Sequence, residues 1–171
     1  VDSAKRPPLM LAAMSDADNS VDVMRSLIAA KAHVDFKHPN REEWPTALFY
    51  AAANGSKDKV KALIAAKATV NEPETSIQES ALHCAARYGN AIAAKVLINA
   101  KANINHEAGF QTPLAYAAMK GRVEVIRVLV EANASVDQCM PTPLMRAAIA
   151  GHHNAIRALL EAMLKQYGRG I

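Results

Sequence analysis

The 171-residue sequence predicts an all-α repeat solenoid in which short helix pairs stack along one axis. Three observations carry that expectation. A Leu with a paired Ala three and four positions later recurs five times along the chain, and Thr-Pro dipeptides and single glycines punctuate the copies at matching places. Hydrophobic residues make up 51% of the chain while aromatic residues make up 5%, so the core must be built from small side chains, and helices packed through alanine do that best.

The five copies begin at Leu9, Leu48, Leu82, Leu114 and Leu144, giving spacings of 39, 34, 32 and 30 residues. From each of the first four to the Ala that closes its second apolar run (Ala32, Ala68, Ala102, Ala134) the distance is 23, 20, 20 and 20 residues. The helical part is therefore nearly constant, and the connectors absorb the variation. The expected domain is single, 1–171, with repeats at about 7–43, 44–78, 79–110, 111–140 and 141–167.

Within a copy, local chemistry sets the element boundaries. Thr112-Pro113 and Thr142-Pro143 place a capping hydroxyl before a Pro at the first helical position, where its missing N–H costs nothing. Gly55, Gly89, Gly121 and Gly151 follow at matching distances and predict left-handed residues that end a short first helix. A second helix comes next. In the fourth copy Val125, Ile126, Leu129 and Val130 give it an apolar face too broad for one partner helix, so neighbouring repeats must cover it.

The segments TPLAYAAMKGRVEVIRVLVEANASVD and TPLMRAAIAGHHNAIRALLEA resemble the ankyrin repeat, whose pattern is Thr-Pro-Leu-His, a paired Ala, Gly, a Leu-Leu pair, then Gly-Ala and Val-Asn. The resemblance covers about residues 7–165 and implies a curved stack of helix pairs with hairpin-like fingers projecting at a right angle. It also implies that His83, at the histidine of the pattern, hydrogen-bonds inside the stack.

Departures from the pattern carry expectations of their own. The Gly before the second Ala is replaced by Lys31, Lys67, Lys101 and Asn133, so a left-handed turn there must be strained or reshaped. Residues Ser15 to Ser20 lengthen the first inter-helix connection and predict a protruding polar loop. In the third copy Ala93 and Ala94 replace Val125 and Ile126 while Ile92 replaces Glu124, which predicts a rotated helix or the weakest link of the array. The last copy runs on from Leu160 to Tyr167 without a finger and reads as a C-terminal cap. The opening apolar run Pro7 to Leu11 and the start at Val1 rather than Met point to a piece of a longer protein.

Several function classes find no support. Lys plus Arg exceed Asp plus Glu by 20 to 16, but the basic residues are interleaved with acids, whereas phosphate binding needs a clustered stripe, so nucleic acid is not the expected partner. No apolar run is long enough to span a membrane, and no signal peptide is evident. A cytoplasmic or nuclear monomer is expected, or one in the host cytosol if the chain is a secreted effector. Cys84 and Cys139 lie on different repeats, too far apart for a disulfide. Neighbours on a helix point about 100° apart, so His83 and Cys84 make no nucleophile and base, and His152-His153 lacks metal-ligand spacing. No cofactor, metal or active site is expected, and the two histidines of that pair read as solvated.

What remains is a surface. In the ankyrin family, partners usually meet the concave face formed by the fingers and the exposed side of the first helices, which implies a protein-protein interaction module. The matching helix positions hold Tyr50, Arg87, Tyr88, Tyr116, Met119, Lys120, Arg146 and Ile149, and the fingers add Trp44 and Phe110. Five of the eight aromatic residues thus map to one face, together with Arg, which is the composition of a binding hot spot. An acidic or aromatic-rich protein partner is expected there. The alternative is a targeting or regulatory segment of a larger enzyme or secreted bacterial effector.

Overall fold

The computed structural model describes residues 6–37, 45–73 and 75–168. Ten helices occur among them: α1 (Pro8–Met14), α2 (Ser20–Ala29), α3 (Ala47–Ala53), α4 (Lys57–Ala65), α5 (Ala81–Tyr88), α6 (Ala91–Asn99), α7 (Pro113–Met119), α8 (Val123–Glu131), α9 (Pro143–Ile149) and α10 (His153–Tyr167). Each odd-numbered helix packs on the even-numbered one that follows it. Odd helices also pack on odd ones of the next pair, and even on even, so two helical layers run along the stack. The described residues contain no strand, only one isolated bridge between Ala108 and Gln111.

The paired alanines lie at the centre of the odd layer. Ala51, Ala52, Ala85, Ala86, Ala117 and Ala118 are fully buried, and Leu48, Leu82 and Leu114 fill the space between the layers. In α6, Ala93, Ala94 and Leu97 are buried and Ile92 stays in solvent, so this helix keeps the register of α8 instead of rotating to hide Ile92.

The helix ends follow the local chemistry. The hydroxyls of Thr112 and Thr142 accept hydrogen bonds from the backbone N–H groups of Ala115 and Met145, at 3.2 and 3.3 Å. At the other end of the repeat, Lys31, Lys67, Lys101 and Asn133 all hold the left-handed conformation, with φ of 59, 66, 67 and 64°. The turn keeps its shape and the side chain takes the strain. Its hydrogen bonds explain why: the Lys101 N–H reaches Ile98 O and the Ala102 N–H reaches Leu97 O, both at 2.9 Å, closing two carbonyls that a straight exit would leave open.

Two ladders of hydrogen bonds join the repeats. In the first, a side chain at the start of an even helix reaches back to the last carbonyls of the preceding repeat's odd helix. Asn90 donates to Ala52 O at 2.8 Å, Arg122 to Arg87 O at 3.2 Å, and His152 Nε2 to Met119 O at 3.1 Å. His152 is therefore half-buried and engaged, in contrast to its expected solvated state. In the second ladder, an Asp or Asn below each finger accepts from a backbone N–H one repeat later. Asp35 accepts from Thr69 at 3.0 Å, Asn71 from Asn103 at 2.7 Å, and Asn105 from Ser135 at 2.9 Å.

The first and last described repeats modify this scheme. The loop between α1 and α2 keeps exposed polar residues, but Asn54 donates to Met14 O at 2.9 Å and to Asp16 at 3.1 Å, and the buried Lys59 ammonium donates to Ala13 O and Ser15 O. The loop is tethered rather than projecting. Burial, partly countered by Asp16, holds the Lys59 pKa below the ordinary lysine value. At the far end α10 extends to fifteen residues, and the Tyr167 hydroxyl donates to Asp137 at 2.7 Å, filling the acceptor that in earlier repeats takes the next backbone N–H. That hydroxyl, with Ser135, keeps the Asp137 carboxyl below its ordinary range.

Two stability predictions follow from these contacts. A Cβ at Gly121, where φ is 65°, would lie 2.8 Å from the His152 ring, whereas at Gly151, where φ is 72°, it would meet nothing. Gly151→Ala should cost about 1 to 2 kcal/mol of left-handed strain, and Gly121→Ala at least about 1 kcal/mol more, because His152 must leave Met119 O. Equal losses in urea denaturation would remove the inter-repeat term. By the same measurement Lys101→Gly should be neutral or stabilising by up to about 1 kcal/mol, since relief of the strain exceeds the added chain entropy. A clear loss would contradict the positive φ.

Candidate partner-binding surface

The third finger is the best-defined part of the predicted surface. Ala108 and Gln111 exchange backbone hydrogen bonds at 2.9 and 3.0 Å, and Gly109 and Phe110 between them have φ of 54 and 62°. Two positive φ values in a two-residue loop are the type I′ hairpin geometry, which favours Asn-Gly and penalises a bulky second residue. Phe110 nevertheless occupies it, with its ring 82% exposed.

The hairpin is braced from two sides, by α5 and by α9. His83, fully buried on α5, donates from Nε2 to His106 O at 3.0 Å and Gln111 O at 3.2 Å. Its Nδ1 lies 3.2 Å from the Ser80 backbone N–H, which can only donate, so Nδ1 is unprotonated and the ring is neutral. The resemblance implied this internal role. From the other side Arg146 donates to Phe110 O at 3.4 Å and to Pro141 O at 3.0 Å. His106 ties the finger to the preceding one through Gln78 O at 3.1 Å.

The predicted contact residues fall into three groups. Tyr88 (55% exposed), Phe110, Ile149 (80%) and Lys120 face solvent, while Tyr50, Met119 and Arg146 are half-buried. Tyr116 and Arg87 differ from expectation. Tyr116 is only 4% exposed, and the Arg87 guanidinium sits 4.9 Å over its ring while pairing with the buried Glu79 carboxylate. The ring is thus buried, and the half-buried Arg87 is engaged by both its neighbours. Trp44 lies outside the described residues.

The structure adds residues that the sequence reading passed over. Met140, 71% exposed, stands two residues before the capping Thr142, as Phe110 stands before Thr112, and Ile77 is exposed on the finger before them. That spacing was the available signal. Cys84 is buried, Cys139 is half-buried and the two form no disulfide with each other, while no cluster of potential metal ligands occurs among the described residues. None of the described helices is long and apolar enough to cross a membrane.

A family model described as ankyrin repeats (3 copies) matches residues 9–108 and 94–169. No curated protein matches the chain.

His83 makes the brace sensitive to acid. Burial, with the nearby His106 adding to it, lowers the His83 pKa from 6.5 to about 4 against the opposing pull of its two carbonyl partners. Between those values the unfolded chain binds the proton and the folded chain does not, so stability is complete above pH 6.5 and falls as pH drops toward 4. The loss should be on the order of 3 kcal/mol. Urea denaturation at pH 7 and pH 4.5 checks it against His83→Gln, which keeps a donor and an acceptor but no titration. Matching pH slopes in the two proteins would rule out His83 as the cause.

Proposed function

Since the chain belongs to the ankyrin repeat family, whose repeats generally serve as protein-protein interaction modules, we propose that it binds a partner protein on the face formed by its fingers and odd helices. The observation that carries the reading is Phe110. A bulky residue in left-handed backbone costs about 1 to 2 kcal/mol, and here the side chain gains little burial among the described residues in return. Such strain, kept in place by His83 and Arg146, fits a group whose energetic return comes on binding. Tyr88 and Ile149 on the same face supply further exposed apolar area.

The buried trio refines which residues contribute. Tyr88, Phe110 and Ile149 act as contacts, with Lys120 setting salt dependence and approach rate. Tyr116 and Arg87 hold the helices that present them. The chemistry of the exposed set favours an acidic partner that carries apolar or aromatic side chains. The chain works on this reading as a monomer without a cofactor.

Affinity capture by the immobilised chain with mass spectrometry tests the proposal. Phe110→Ala or Ile149→Ala should each weaken the captured partner by about 2 kcal/mol, while Glu124→Ala combined with Arg127→Ala, exposed on α8, should change little. Tyr116→Ala should lower folding stability instead. Equal tolerance of the Phe110, Ile149 and α8 changes would refute the face, and a loss confined to the α8 pair would move the site to the even helices.

A further inference from the structure

We infer that α2, α4 and α6, with the turns that end them, carry a second binding surface, whose occupant is an acidic protein segment with an apolar side chain among its carboxylates. This surface belongs to the even helices and does not depend on the face proposed above. Three lysines open the case. Lys31, Lys67 and Lys101 stand in left-handed backbone, with φ of 59, 66 and 67°, where glycine would relieve the strain. Each is exposed and makes no hydrogen bond or ion pair among the described residues. The fourth turn holds Asn133, which tolerates that conformation better. Three successive repeats thus keep a cation at a cost to the fold and with no return inside it, which fits a charge used on binding.

The helices leading into these turns add to the charge. α2, α4 and α6 lie side by side, with rungs about 8 to 10 Å apart, and expose Arg25, Lys57, Lys61 and Lys95. Against seven exposed cations on the three helices and their turns stand two exposed acids, Asp22 and Asp58. Asp22 pairs with Arg25 at 3.3 Å, and Asp35, near the Lys67 turn, is held by Thr69. The excess stops at α6, because Glu124, Glu131 and Glu161 balance Arg127, Arg157 and Lys165 on α8 and α10. Basic residues that alternate with acids along the sequence are gathered by the fold onto one stretch of the even layer.

A hollow among the cations decides which polyanion fits. Between α2 and α4 a space of about 350 Å³, open to solvent, is lined by Arg25, Ile28, Ala29, Ala62, Ala65 and Ala66. Lys61 precedes Ala65 by one turn, and Lys31 and Lys67 follow the two helix ends. An apolar floor beside lysines matches a peptide, which brings carboxylates and an apolar side chain on one chain. A single nucleic-acid strand needs aromatic side chains on which its bases stack, and α2, α4 and α6 have none. An anionic bilayer would attract the lysines, but its plane of headgroups would leave the hollow unfilled.

Fluorescence anisotropy at low ionic strength tests this with a labelled peptide of about twelve residues, long enough to cross three rungs, that is all Glu but for one central Leu. The chain should bind it. Combining Lys31→Gly, Lys67→Gly and Lys101→Gly, which suits the three turns and so keeps the fold, should weaken binding about tenfold. Replacing the peptide's Leu with Ala should weaken it about fivefold, and Phe110→Ala should leave it unchanged. Loss of affinity with Phe110→Ala but not with the three glycines would assign the peptide to the fingers and overturn this second surface alone. A peptide indifferent to its Leu would remove the hollow from the reading. Tighter binding of an oligothymidylate or of phosphatidylserine vesicles, lost with the three glycines, would replace the protein segment by a nucleic acid or a membrane, and no binding of the Glu peptide would refute the surface outright.

Discussion

Each odd helix ends with carbonyls that its own repeat does not fully satisfy, and the stack depends on the neighbour that completes them. Asn90, Arg122 and His152 serve this need with three different chemistries, amide, guanidinium and imidazole, so the requirement is for a donor and not for a residue type. The glycine just after each accepting helix (Gly55, Gly89, Gly121) is part of the same device, because the donor side chain of the next repeat occupies the space where its Cβ would sit. One helix pair alone would leave these groups and its broad apolar face uncovered. Packing and polar satisfaction are therefore both properties of adjacent pairs.

The proposed contact face inherits its order from that arrangement. His83 on α5 and Arg146 on α9 reach the Phe110 finger from the two sides, and His106 ties it to the finger before it. Glu79, Arg87 and Tyr116 likewise join two repeats, and their burial fixes the helices on which Tyr88 and Met119 are carried. Exposed residues do little to position themselves here. Internal polar contacts crossing repeat boundaries do it for them.

Much of the fold was legible because its signals are local. The Thr-Pro caps, the glycines and the alanine pairs act within a few residues of themselves, and they specified the helices and their ends. The strain at Lys31, Lys67 and Lys101 was legible for the same reason, since a missing Gly at a fixed place in a turn has few solutions. The surface was harder to read. A tyrosine at the position of Tyr116 is exposed or buried according to what its neighbour places above it, and Arg87 with Glu79 closes that site from thirty or so residues away. The role of His152 and the tether from Lys59 were hidden for a related reason, as their carbonyl partners leave no mark in a sequence. Met140 could have been found by counting back from Thr142 as from Thr112.

The pairing of Asp137 with Tyr167 bears on how such an array behaves under load. Along the stack each finger acceptor is filled by backbone one repeat later, so pulling a repeat away releases a rung together with its packing, and the next rung is then exposed to the same force. At Asp137 the rung is made by a single phenol at the end of a long helix, which can swing off without unfolding anything behind it. The molecule resembles links in series more than a rigid beam, and because each finger is tied to the repeats beside it, a joint that opens also loosens the finger that spans it.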